Sequence, residues 1–225
     1  MTPQTALAAL EVLADPETAA EMAAYHKAPR RYLGIRVPEI TELATRWRDG
    51  MNTESRAVLA DALWQSDIHE ARVAAAKLLT QSRIAADAPV WSVIASWVPT
   101  FDAWAIADHA CAAGNRRLVA DPSRLDEVET WITHPSLWVR RAALVMTLPW
   151  TKQNHPTPAD LAIRDRVLGW AASYAGDREW FIQKAIAWWV RDLSKHDPDR
   201  ARAFLAAHGP QMKPFARKDA AQYLR

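Results

Sequence analysis

The feature that most restricts this chain is its punctuation. Proline recurs just after residues that favour helix starts, at Thr2-Pro3, Asp15-Pro16, Asp121-Pro122, His134-Pro135 and Asp197-Pro198, and apolar residues between these points return at spacings of three and four. Almost nothing alternates as a strand would. The chain holds only 6 glycines in 225 residues and is rich in alanine, so the sequence predicts an all-α protein of about a dozen short helices. Asp15-Pro16 opens a helix running to about Lys27, residues 28–37 are irregular, and Pro38 restarts helix to Asp49, with Gly50 as its stop. Further on, Asp67 begins a helix through Gln81, Asp121-Pro122 one to Ile132, and Gly209-Pro210 the last, ending near Leu224.

At 50% hydrophobic, the chain can bury a substantial core, read here as one domain over residues 1–225. Charged residues interrupt every apolar stretch, which leaves no membrane-spanning run. Cys111 is the single cysteine and no charged-then-apolar leader is read at the N-terminus, so a reducing cytoplasmic setting is expected. Neither a Gly-rich phosphate loop, nor Cys-x-x-Cys, nor His-Glu-x-x-His occurs, and no metal or cofactor is expected. The net charge of +2 is unevenly spread: Arg178 to Arg225 carries +5, and residues 1–177 carry −3. Such asymmetry is compatible with phosphate binding and equally with solvated helix faces.

The chain is also weakly self-similar. Ala71-Arg-Val-Ala-Ala-Ala76, Val139-Arg-Arg-Ala-Ala-Leu144, Ile182-Gln-Lys-Ala-Ile-Ala187 and Ala216-Arg-Lys-Asp-Ala-Ala221 share an apolar residue, a basic or amide residue, then small ones. Aligned on Arg72, Arg140, Gln183 and Arg217 the spacings are 68, 43 and 34, near the period of HEAT-type helical hairpins. The expected architecture is a right-handed α-α superhelix of about six degenerate HEAT-like repeats. Basic residues at matching positions would line one face, giving a concave basic groove.

Phe101 to Ala113 combines a helix start with chemistry on one face. Asp102 reads as an N-cap, Trp104 and Asp108 fall four apart, and Gly114-Asn115 reads as the stop. An indole beside a carboxylate suits positive charge. Taken singly, Trp104 and Trp188 equally read as core anchors, and Asp108 as a surface acid paired with a cation.

Five segments in order then resemble the AlkD-type DNA alkylation repair glycosylases, a family built from HEAT-like repeats. Tyr32-Leu-Gly-Ile-Arg-Val-Pro38 resembles its Leu-Gly-Ile-(basic)-x-Pro loop, and Leu63-Trp64 before an Asp-initiated helix is also similar. Asp102-Ala-Trp104-Ala-Ile-Ala-Asp108 resembles its Trp-x-x-x-Asp helix, Leu137-Trp-Val-Arg-Arg141-Ala-Ala its Trp-x-x-Arg-Ala-Ala segment, and Phe181-Ile-Gln-Lys-Ala-Ile-Ala-Trp188 its most specific motif. The resemblance spans roughly residues 20 to 225. It implies catalytic roles for Asp108, Trp104, Trp188 and Arg141. One departure leaves a second register open: the family's Trp is commonly followed by Asp, here Ala105 follows Trp104, and Phe101-Asp102 is the competing alignment.

What the resemblance implies is a cofactor-free monomer that hydrolyses the N-glycosidic bond of N3- or N7-alkylated purines in double-stranded DNA, with no base-holding pocket, in the cytoplasm or on a bacterial nucleoid. The alternative is a non-catalytic HEAT-like protein recognising damaged or branched DNA. Arg36, Arg140, Lys184, Arg191, Lys213, Arg217 and Lys218 are the candidate DNA contacts, with either Arg140 or Arg141 facing the groove.

Overall fold

A computed structural model describes residues 1–224. Among them lie thirteen α-helices joined by short connections, and the helices divide into two compact units, Met1–Asp121 and Pro122–Arg225. The first contains α1 (Pro3–Glu11), α2 (Pro16–His26), α3 (Val37–Arg48), α4 (Thr53–Gln65), α5 (His69–Leu79), α6 (Ala88–Trp97) and α7 (Trp104–Ala120). The second contains α8 (Leu125–Thr130), α9 (Leu137–Met146), α10 (Pro158–Ser173), α11 (Trp180–Ser194), α12 (Pro198–His208) and α13 (Pro214–Ala220). None of these helices is long and apolar enough to cross a membrane.

Each unit is built round one helix. In the first, α5 packs against α3, α4 and α7, and ten of its eleven residues are buried, so any charge on it must be paired. Glu70 accepts the backbone N–H groups of Leu33 (2.8 Å) and Gly34 (2.9 Å), which ties the Leu-Gly-Ile loop to α5. Arg72 donates through Nε to the Trp64 carbonyl (3.0 Å) and pairs with Asp67 (3.2 Å). In the second unit α11 takes the central place, against α9, α12 and α13. Small residues make this possible, since Ala71, Ala74, Ala75, Ala185 and Ala187 are all buried and let neighbouring helices approach.

The tryptophans separate into two groups. Seven of the twelve are buried, and five of those (Trp64, Trp97, Trp150, Trp170 and Trp189) donate their indole N–H to a side chain, as a buried indole requires. The other five, Trp104, Trp131, Trp138, Trp180 and Trp188, retain contact with solvent. Core anchoring therefore explains most of the load and leaves the two candidate site residues outside it.

Three local expectations are corrected. Asp102 does not cap α7: the N-cap is Ala103, and the Asp102 carboxylate pairs instead with the buried Arg30 guanidinium. Gly114-Asn115 does not stop α7, which runs 17 residues to Ala120 because Gly114, Arg117 and Leu118 are buried. Arg117 fixes that extension by pairing with Asp87 (2.9 Å) and donating to the carbonyls of Gln81 and Ser82. Asp67 does not begin α5, which starts at His69; it sits in the left-handed region (φ 54°). Two helices are also shorter than expected, since 3-10 turns flank α8 at Pro122–Arg124 and Trp131–Thr133, and α13 ends at Ala220.

The repeat-matched polar residues also behave differently from the expected basic stripe. Arg72, Arg140 and Gln183 turn towards the chain and clamp carbonyls just before their own helix, Arg72 in the last turn of α4 and the other two in the preceding connection, where helix ends leave backbone acceptors unmatched. Arg140 donates to the carbonyls of His134 (3.0 Å) and Pro135 (2.9 Å), and Gln183 to those of Ala175 (3.0 Å) and Asp177 (2.8 Å). Arg217 alone of the four is exposed. The repeat signal thus marks how hairpins are closed.

Candidate functional site

Trp104 is the first residue of α7 and Asp108 lies one turn on, so both share a face, and both are half-buried. Phe101, by contrast, is 3% exposed and packs on Trp64 (ring centroids 5.7 Å). Of the two registers, only Trp104 carries an aromatic face towards solvent.

The indole of Trp104 does not stand alone. The end of α2 brings Tyr25, 70% exposed, edge-on to it (5.8 Å, 83°), and His26 tilted against it (5.2 Å, 54°). His26 stacks in turn on His69 of α5 (4.7 Å) and on Tyr32 (5.9 Å), and His69 stacks on Tyr32 (4.8 Å). The Leu-Gly-Ile loop clamped by Glu70 therefore delivers Tyr32 to the floor of this site. Burial shapes its electrostatics: the His69 imidazole is pushed down to about 3, that of His109 to about 4, and that of His26 below its usual value. All three rings are neutral near pH 7. Beside Trp104 lies an aromatic floor of neutral imidazoles and Tyr32, and the cation next to it, Arg30, is buried and paired with Asp67 and Asp102.

In the second unit Trp188 is half-buried on α11 and donates its indole N–H to Asp192 (3.1 Å) one turn on. Asp192 is only 8% exposed and faces Lys152 (3.6 Å), Arg191 (3.8 Å) and Lys195 (3.9 Å), so its charge is compensated. Arg141 lies on α9 and is 5% exposed, next to the clamp residue Arg140, whose guanidinium also pairs with Asp177 (3.2 Å). Arg191 is held by Asp219 (2.7 Å).

The remaining candidate contacts are more open. Arg36 is exposed at the start of α3, Arg217 and Lys218 are exposed on α13, and Lys184 is exposed on α11. The Lys213 side chain is half-buried, and its backbone N–H donates to Gln183 (2.8 Å). Among the described residues no group of three or more His, Cys, Asp or Glu side chains converges as a metal ion would need.

Sequence reasoning missed Tyr25, His26, His69 and Asp192. Asp192 was within reach, because Trp188 and Asp192 repeat the four-residue spacing of Trp104 and Asp108. The others carry no local signal: only the packing of α2 and α5 against the start of α7 brings them to the indole.

The sequence matches the model of the DNA alkylation repair enzyme family over residues 6–224. Among solved structures it is similar to one described as a predicted DNA alkylation repair enzyme from Enterococcus faecalis, at 24% identity and a TM-score of 0.78, covering 94% of this chain and 96% of that one. It is also similar to smu.31 from Streptococcus mutans UA159 (20% identity, 84% and 93% covered, TM-score 0.64) and to AlkD2 from Streptococcus mutans (19%, 84% and 90%, 0.62). At these identities the likeness shows a common fold. No curated protein gives a significant match.

Proposed function

The chain belongs to the DNA alkylation repair enzyme family, and from that premise we propose that it is a DNA glycosylase that releases cationic N3- or N7-alkylated purines from double-stranded DNA. The observation that carries this reading is that Trp104 and Asp108 share one face of α7, with the uncharged imidazoles of His26 and, behind it, His69 packed against the indole.

The chemistry follows from the substrate. An N3- or N7-alkylated purine already carries positive charge, so it leaves without protonation and no general acid is required. As the glycosidic bond lengthens, the charge passes to the deoxyribose. A carboxylate at Asp108 stabilises that developing oxocarbenium ion and orients the water that adds to C1′, an electrostatic role of the kind that usually dominates such catalysis. The π faces of Trp104 and Trp188 attract the cation, each contributing about 0.5–2 kcal/mol according to desolvation. A protonated imidazole beside Trp104 would compete for that attraction, and burial of His26 and His69 removes the competitor. Arg141 serves as the clamp for a backbone phosphate, bidentate where the fork can reach two oxygens. Water is the only co-reactant.

The test is single-turnover release of 7-methylguanine and 3-methyladenine from methylated duplex. The wild type should exceed the spontaneous rate, and Asp108→Asn should be slower by about 10²–10³, the usual loss when one preorganised charge-stabilising group is removed. Duplex binding without release by the wild type would make the chain a non-catalytic DNA-binding protein. Release unchanged in Asp108→Asn would move the site elsewhere.

A further inference from the structure

The solvent-facing side of α11 carries an aromatic residue that neither the core nor the proposed chemistry uses. Trp180 opens this helix and is 49% exposed, unlike the seven tryptophans that anchor the core. Its ring stacks on Phe215 of α13 (4.0 Å, 30°), which fixes its direction. Trp180, Lys184 and Trp188 stand at successive intervals of four, and so form one stripe along the helix. The Lys184 ammonium lies 5.7 Å from the Trp180 ring centroid. Arg178 precedes Trp180 in sequence, and α13, which supplies Phe215, carries Arg217 and Lys218; all three are exposed cations, with Glu179 an exposed acid beside the first.

We propose that the Trp180–Lys184–Trp188 stripe is a DNA track, in which Trp180 makes a second aromatic contact, packed on a nucleotide of the strand held at Trp188. Eight helical residues span about 12 Å, and nucleotides along one strand of a duplex advance about 3.4 Å each. Trp180 therefore meets the strand three to four nucleotides from Trp188. Between them Lys184 is placed to neutralise a phosphate. The division of chemistry is that of nucleic-acid grooves generally: the ammonium supplies the salt-dependent part of affinity, and the indole a part that salt does not screen. Phe215 holds the Trp180 ring in place before DNA arrives, which lowers the ordering cost of that contact. This inference rests on the DNA-binding half of the proposed function and is independent of catalysis.

The experiment is fluorescence anisotropy of a labelled undamaged duplex with the full chain, over a salt series, for the wild type, Trp180→Ala, Trp180→Phe and Lys184→Ala. Thermal melting of each variant establishes that it is folded. Trp180→Ala should bind about tenfold more weakly at every salt concentration with an unchanged slope of log K against log salt, while Lys184→Ala should reduce the magnitude of that slope by about 0.9. Trp180→Phe, which keeps a ring over Phe215, should lose less than Trp180→Ala. Wild-type affinity in folded Trp180→Ala, or an unchanged slope in Lys184→Ala, would overturn the track and leave the DNA-binding reading intact. A wild type that binds no duplex even at low salt would overturn both.

Discussion

His69 and His109 show how a single side chain's surroundings set the conditions under which this protein holds together. His69 is buried and His109 half-buried, and loss of hydration drives their folded-state values to about 3 and about 4, against 6.5 for a solvated histidine. The unfolded chain therefore binds protons before the folded chain does. The stability they allow is complete above pH 6.5 and is lost as pH falls from there towards the folded values. Between pH 7 and pH 5 each should cost about 2 kcal/mol, because the unfolded histidine protonates there and the folded one does not. Urea unfolding at the two pH values measures this. The drop should shrink by about half in His69→Phe, which keeps a stacking ring and removes one proton site; equal stability of the wild type at pH 7 and pH 5 would contradict it. His69 reaches Trp104 through His26, on which it stacks. None of this was legible in the sequence, where seven histidines look scattered, since burial and stacking belong to the assembled unit and leave no spacing behind.

At the scale of the element, the most telling piece is the loop from Tyr32 to Pro38. Gly34 has φ +81°, and a Cβ there would sit 2.2 Å from the Asp15 carbonyl oxygen and 2.6 Å from the Ala19 nitrogen, both backbone atoms of the α2 start. Neither can retreat without displacing that helix. Gly50 shares the positive φ (+78°) but its Cβ would meet nothing. Gly50→Ala should thus cost about 1 kcal/mol, for the left-handed conformation alone, and Gly34→Ala about 3 kcal/mol or more because collision adds to it. Denaturant midpoints of the two variants give the comparison, and equal losses would mean that the close approach has no energetic weight. Local signals of this kind were legible: Thr2, Asp15 and Asp197 cap their helices through the side chain as the Asp-Pro and Thr-Pro pairs indicate, and Gly50 follows α3. What failed were signals that tertiary burial overrides. Gly114 reads as a stop, yet Arg117 one turn later is buried and paired with Asp87, and that anchor carries α7 through the glycine. Asp102 reads as a cap, yet the buried guanidinium of Arg30 needs a carboxylate more than the helix end does.

Across the whole molecule, charge is divided as the contacts are. The first unit carries −3 and the second +5, so the boundary at Asp121 separates an acidic half from a basic one. The candidate residues divide too, with Trp104 and Asp108 on the acidic unit and Arg141 and Trp188 on the basic one. Non-specific affinity should then reside in the second unit. Counterion release makes this measurable, since each phosphate neutralised contributes about −0.9 to the slope of log K against log salt. Lys213, Arg217 and Lys218 replaced together by glutamine in the full chain should reduce the magnitude of the slope for undamaged duplex by about 2.7. Arg46, Arg83 and Arg116, exposed cations of the first unit, provide a control that makes the same change in net charge. Their replacement by glutamine should leave the slope almost unaltered, because net charge acts at long range and is screened, whereas phosphate contacts are local. Equal losses in the two triple variants would show that DNA answers to overall charge, and that the basic residues of α13 and its N-cap form no particular path.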